Sequence, residues 1–177
     1  MNDLIEIENI FDSNSEFINK TQIDSWKKSS DREVLGALVE LLIDKKYYTR
    51  ITPNLVFEDY YPFLFDYYIN CMQNDFDGEW AHSKYISSYE LRSFIEGIWN
   101  DEQLSEEKKI ELQKEIKNKL KDLCITANPP FKKVMINGLL EHLFDNNRIR
   151  TYFKDWKEDN ILNSFFECAI DKKKHIE

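Results

Sequence analysis

Residues 105–123 read SEEKKIELQKEIKNKLKDL, and the spacing of their apolar side chains decides the fold class. Leu112, Ile116, Leu120 and Leu123 follow one another at steps of four, four and three, the period at which side chains line one face of an α-helix. Lys108, Lys109, Lys114, Lys117 and Lys121 fill the remaining faces. The pattern is a surface helix with one buried stripe. Glu106 and Glu107 stand in its first turn and Lys119 and Lys121 in its last stretch, the order that the helix dipole favours.

The same period extends outward. Val34 to Ile43 (VLGALVELLI) is apolar nearly all round and reads as the central helix of the core. Residues 130–144 and 160–171 are amphipathic, and 56–74 and 87–100 give two further helices. Helix starts recur as Ser/Thr-x-x-Glu at Ser13…Glu16, Ser30…Glu33 and Ser87…Glu90, where hydroxyl and carboxylate each satisfy the other's free backbone N–H. Asn128-Pro129 supplies a capping side chain and a proline at the first helical position. Asp155 or Asp159 starts the last helix, before Ile161. Only 4 Gly and 4 Pro occur in 177 residues, too few for the tight turns of a sheet. Tyr47-Tyr48-Thr49-Arg50-Ile51 is β-prone but lies between a helix end and Pro53, and reads as a loop. The expectation is one all-α domain over 1–177, a bundle of about seven helices or a stack of helical hairpins.

Composition supports a folded core without staples. The chain is 42% hydrophobic, with 12 Phe, 9 Tyr and 4 Trp, and a domain of this length buries roughly 70% of its unfolded surface. Cys71, Cys124 and Cys168 are far apart in apolar stretches and read as buried thiols of a reducing cytosol. The start, MNDLIE, has no basic or long apolar segment, and no stretch approaches 18 apolar residues. A cytoplasmic protein that does not enter membranes is expected.

Charge is uneven. Residues 1–100 hold 18 Asp and Glu against 9 Lys and Arg, and 101–177 hold 15 of each. An acidic half is thus joined to a charge-neutral one. Between Arg50 and Lys84 there is no basic residue, while Glu58, Asp59, Asp66, Asp75, Asp77 and Glu79 contribute six negative charges. Phe57, Tyr60, Tyr61, Phe63, Phe65, Tyr67, Tyr68, Phe76 and Trp80 are interleaved with them. A single helix hides part of such a set on its inner face. Nine aromatics in this window exceed one stripe, so some tyrosines are expected at the surface. Tyrosine ringed by carboxylates suits a protein-binding hot spot steered toward a basic partner. The same sign repels nucleic acid and anionic membranes. Glu58, Asp59, Tyr60, Tyr61, Asp66, Tyr67, Asp75, Asp77 and Glu79 are the candidate partner-binding residues.

No chemistry-bearing pattern competes. His82, His142 and His175 stand alone, without ligand spacing. Asp75-Phe76-Asp77-Gly78 fails as a calcium loop because its twelfth position is Lys84. Gly78 then reads as a helix-ending residue with positive φ. The glycines form no phosphate loop, and Gly36, Gly97 and Gly138 fall inside helix patterns, where close helix approach explains them. The basic tail Lys172-Lys173-Lys174-His175 caps the last helix. No catalytic, cofactor-binding or metal-binding residue is expected.

Glu58-Asp59-Tyr60-Tyr61-Pro62 is similar to the acidic Tyr-Tyr-Pro stretch with which colicin-type nuclease immunity proteins grip their toxin. Residues 138–143 (GLLEHL) and 152–156 (YFKDW) are similar to stretches of other helical immunity and bacterial families. The resemblance implies an all-α antidote to a basic toxin, with Tyr60 and Tyr61 as anchors and Glu58 and Asp59 as charge partners. A helical adaptor with a groove lined by Trp99, Phe131 and Trp156 is the second expectation. An enzyme with a deep polar pocket is the third.

Overall fold

The computed structural model describes residues 2–12, 20–43, 57–76, 78–102 and 104–171, with the side chains of 2 and 57–59 excepted. Every regular element among them is helical, as the apolar period requires. The chain divides into two compact units, Met1–Ser83 and Lys84–Glu177.

In the first unit α1 (Asn2–Asp12) and α2 (Lys20–Trp26) pack on α3 (Arg32–Ile43). Val34, Gly36 to Val39, Leu41 and Leu42 of α3 are buried, so this helix is the central one. Its cap is not the expected Ser30–Glu33 pair. Asp31 accepts from the Glu33 N–H at 3.0 Å, and the Glu33 carboxylate has a distant partner. Helix α4 (Phe57–Gln73) is buried on nearly all sides. Between residues 60 and 73 only Pro62, Asp66, Asn70 and Gln73 are exposed, a narrow stripe at steps of four, four and three.

The second unit runs α5 (Lys84–Asn100), α6 (Glu106–Thr126), α7 (Pro129–Val134), a π-helical stretch (Met135–Leu140), α8 (Glu141–Leu143), α9 (Asn147–Tyr152), a 3-10 turn (Lys154–Glu158) and α10 (Asn160–Ile170). The stripe of α6 is Leu112, Ile116, Leu120 and Cys124, with Leu123 at its edge and Lys109 and Gln113 also buried. Lys109 reaches Glu106 at 2.9 Å and holds that carboxyl below its ordinary range. Phe144, Phe153, Trp156 and Phe166 form an aromatic cluster with centroids 4.9–6.4 Å apart, and each buried ring of this size contributes roughly 2–3 kcal/mol. The capping side chains act as read: Asn128 accepts from Phe131 N at 2.9 Å, and Asp159 from Ile161 N and Leu162 N at 2.9 and 3.1 Å. Such caps are worth about 1 kcal/mol each.

Three local expectations are corrected. Helix α5 begins at Lys84, so Ser87 is an interior residue, fully buried, and caps nothing. Gly97 has open space where a side chain would stand, so close approach does not explain it. Gly138 does make such an approach, its Cα facing the Ser88 hydroxyl. No described glycine has positive φ, and Gly78 owes its place to a neighbouring carboxylate instead. Residues 13–16, 47–51 and 172–175 lie outside the described set.

Candidate functional site

One polar seam organises the first unit. Arg32, Glu33, Gly36 and Glu40 share a face of α3, and the segment Asn74–His82 lies along it. The Arg32 guanidinium stands 3.2 Å from the Phe76 ring centroid, a close cation–π contact. Glu33 Oε2 accepts from the Trp80 backbone N–H at 2.8 Å. A side chain at Gly78 would overlap that same carboxylate, and one at Gly36 would overlap the Trp80 carbonyl. The Trp80 indole N–H donates to Glu8 at 3.1 Å, and its ring stacks on Phe11 at 5.1 Å. The segment is thus fastened at Phe76, Gly78 and Trp80.

Its last fastening is a chain of hydrogen bonds that runs from part-exposed Glu40 to buried Tyr67. His82, 6% exposed, stands with Nδ1 2.8 Å from the Tyr67 hydroxyl and Nε2 2.9 Å from Glu40 Oε1. A neutral ring with the proton on Nε2 satisfies both partners: Nε2–H donates to the carboxylate and Tyr67 O–H donates to Nδ1. Burial pushes the Tyr67 hydroxyl far above the ordinary phenol range, with Cys71 and Glu40 adding to the shift. The phenol therefore remains a donor. Tyr67 and Tyr68 meet the imidazole edge-on at 5.5 and 6.0 Å, which fixes the ring. With both nitrogens engaged, the imidazole ties Glu40 of α3 to Tyr67 of α4.

The candidate residues divide. Asp66, Asp75 and Glu79 are exposed. Asp66 is on the polar stripe of α4, and Asp75 and Glu79 are on the fastened segment. Tyr60, Tyr61 and Tyr67 are 2%, 1% and 8% exposed, which corrects the expectation of surface tyrosines. The physical reason is that α4 is a core helix: only a narrow stripe of it meets solvent, so its rings need not share one face. Glu58 and Asp59 lie in the first turn of α4, and their side chains and Asp77 fall outside the described set. The chain Glu40–His82–Tyr67 was missed. Its signal was present: Glu33, Gly36 and Glu40 interrupt an otherwise apolar helix at steps of three and four.

No family model, no curated protein and no solved structure matches the chain.

The remaining chemistry is sparse. Among the described residues no group of three or more His, Cys, Asp or Glu side chains is placed to hold a metal ion. No described helix is long and apolar enough to cross a membrane. A concavity of about 270 Å³ in the second unit is walled by Lys117, Lys121, Asp155, Trp156, Glu158 and Asp159. There Lys117 is already held, donating to the Tyr152 carbonyl at 2.7 Å and to Asp155 at 2.6 Å. Cys71 and Cys124 are buried and Cys168 is half-buried. Burial pushes the Cys124 thiol up to about 12, with Lys132 opposing in part.

Proposed function

We propose that the chain is a cytoplasmic immunity or inhibitor protein that binds and neutralises a basic toxin domain, a nuclease being the natural candidate, through the acidic face of its first unit. The observation that carries this reading is the charge partition. Met1–Ser83 holds 16 Asp and Glu against 7 Lys and Arg, and Lys84–Glu177 holds 17 of each. The excess of nine negative charges therefore belongs to one compact unit. Among the described residues of the aromatic-rich window, Asp66, Asp75 and Glu79 are its exposed members. Such a field raises encounter rates with a positive partner and is screened by salt. The buried tyrosines serve as the frame under that surface and are not contact residues.

The test is the association rate with the C-terminal domain of the protein encoded immediately upstream. Raising NaCl from about 50 to 500 mM should slow association by at least about tenfold. Asp66→Asn, Asp75→Asn and Glu79→Gln together should do the same at low salt. A rate indifferent to both would remove the steering surface.

A helical adaptor is the second reading. Trp99, Phe131 and Trp156 are buried, and Trp156 also walls the concavity beside Lys117. Tyr85, Ile86 and Tyr89 of α5 are 44–54% exposed, and this apolar surface favours a partner that docks by contact area. Binding unaffected by salt and lost on Tyr85→Ser would select it.

A further inference from the structure

The described residues of the segment that carries Asp75 and Glu79 form no helix or strand, yet Phe76, Trp80 and His82 each meet a partner on α1, α3 or α4. Phe76 meets Arg32, Trp80 N–H meets Glu33, the Trp80 carbonyl meets Gly36, the indole meets Glu8, and His82 meets Glu40 and Tyr67. Unsupported segments of this kind sample many conformations and lose that freedom on binding. We propose that Glu33, Glu40, His82 and Tyr67 are positioning residues, which hold the acidic segment in one geometry before any partner arrives. This deepens the docking role proposed above and rests on it for its biological meaning.

The chemistry assigns each residue a separate part. Glu33 is both acceptor and spacer: one oxygen takes the Trp80 N–H, and the carboxylate fills the place a Gly78 side chain would need. Glu40, partly exposed, needs only an acceptor oxygen to hold Nε2–H. Tyr67 supplies the donor that Nδ1 requires. Because the chain runs from the surface at Glu40 to the buried phenol of α4, cutting it at Glu40 frees the end of the segment without opening a cavity in the core.

Amide hydrogen exchange in the free, full-length chain tests this without any partner. Glu33→Ala and Glu40→Ala should each speed exchange at the Trp80 amide by about tenfold or more, with Val39 to Leu42 of α3 unchanged. Glu40→Gln retains the acceptor and should stay within about twofold of the parent. Unchanged exchange at Trp80 in both alanine variants would overturn the proposal. So would a matching loss of protection along α3, which would mean general loosening, or a Glu40→Gln chain that behaves like Glu40→Ala. Against the upstream-encoded domain, Glu33→Ala should raise the dissociation rate by about tenfold and leave association within about twofold. Should that domain not bind at all, the docking role falls while the exchange result still decides the positioning role. An unaltered dissociation rate on a domain that does bind overturns the positioning role alone.

Discussion

The Trp80 backbone N–H donates to the Glu33 side chain at 2.8 Å, across 47 positions of sequence. This bond joins an irregular acidic segment to a helix whose apolar face is buried in the core of the unit. It also explains why Glu33 does not complete the local capping pair that its spacing from Ser30 suggests: its carboxylate is committed elsewhere, and Asp31 caps the helix instead.

Gly36 and Gly97 should respond oppositely to alanine. At Gly36 the new methyl meets the Trp80 carbonyl, a backbone atom that cannot swing aside. Overpacking of this kind costs about 2–3 kcal/mol. Gly97 lies inside α5 with nothing near its absent side chain, so alanine should add about 0.5–1 kcal/mol. Urea melts of the two variants check the pair, with a drop in midpoint for the first and a rise for the second.

Ser87→Ala should stabilise the second unit. The Ser87 hydroxyl is fully buried and meets no hydrogen-bond partner among the described residues. Removing an unsatisfied buried hydroxyl gains about 1 kcal/mol. Thermal unfolding should show a midpoint a few degrees higher.

Alkaline pH should weaken the fold. Burial raises the Cys124 thiol from its ordinary 9.0 to about 12, and the Tyr67 hydroxyl moves in the same direction. A folded-state value above the unfolded one gives stabilisation that is full below the unfolded value and is lost as pH rises toward the folded one. For Cys124 that window runs from about 9 to about 12, with a limiting slope of about 1.4 kcal/mol per pH unit for each such group. Denaturant midpoints measured from pH 8 to 11 should fall above pH 9. In the folded chain at pH 8 the Cys124 thiolate is on the order of 1000-fold rarer than for a free thiol, so alkylation mapped by mass spectrometry should spare it until the chain is denatured.

Much of the fold was legible because helices announce themselves locally. The Leu112–Ile116–Leu120 stripe of α6, the apolar run of α3 and the side-chain caps at Asn128 and Asp159 depend on neighbours within four residues and are present. Cys124 in place of Leu123 ends the stripe, and Lys109 is buried beside it. What sequence could not supply was which faces the rest of the unit covers. Nine aromatics between Phe57 and Trp80 exceed one amphipathic stripe, yet α4 hides Tyr60, Tyr61, Phe65, Tyr67 and Tyr68 together because it is enclosed on most sides. Ser87 followed the same logic: its spacing from Glu90 suited a helix start, but α5 begins a turn earlier. The spacing of Glu33, Gly36 and Glu40 marks a polar face on α3. That His82 ties Tyr67 to Glu40 there is set by distant parts of the chain and by no short-range pattern.

Co-expression decides the central claim most directly. The C-terminal domain of the upstream-encoded protein, produced alone in a bacterial host, should arrest growth. Producing this chain beside it should restore growth, and the triple change Asp66→Asn, Asp75→Asn, Glu79→Gln should weaken that rescue. A domain that is harmless when produced alone, or a toxic one that this chain leaves fully active, would contradict the account.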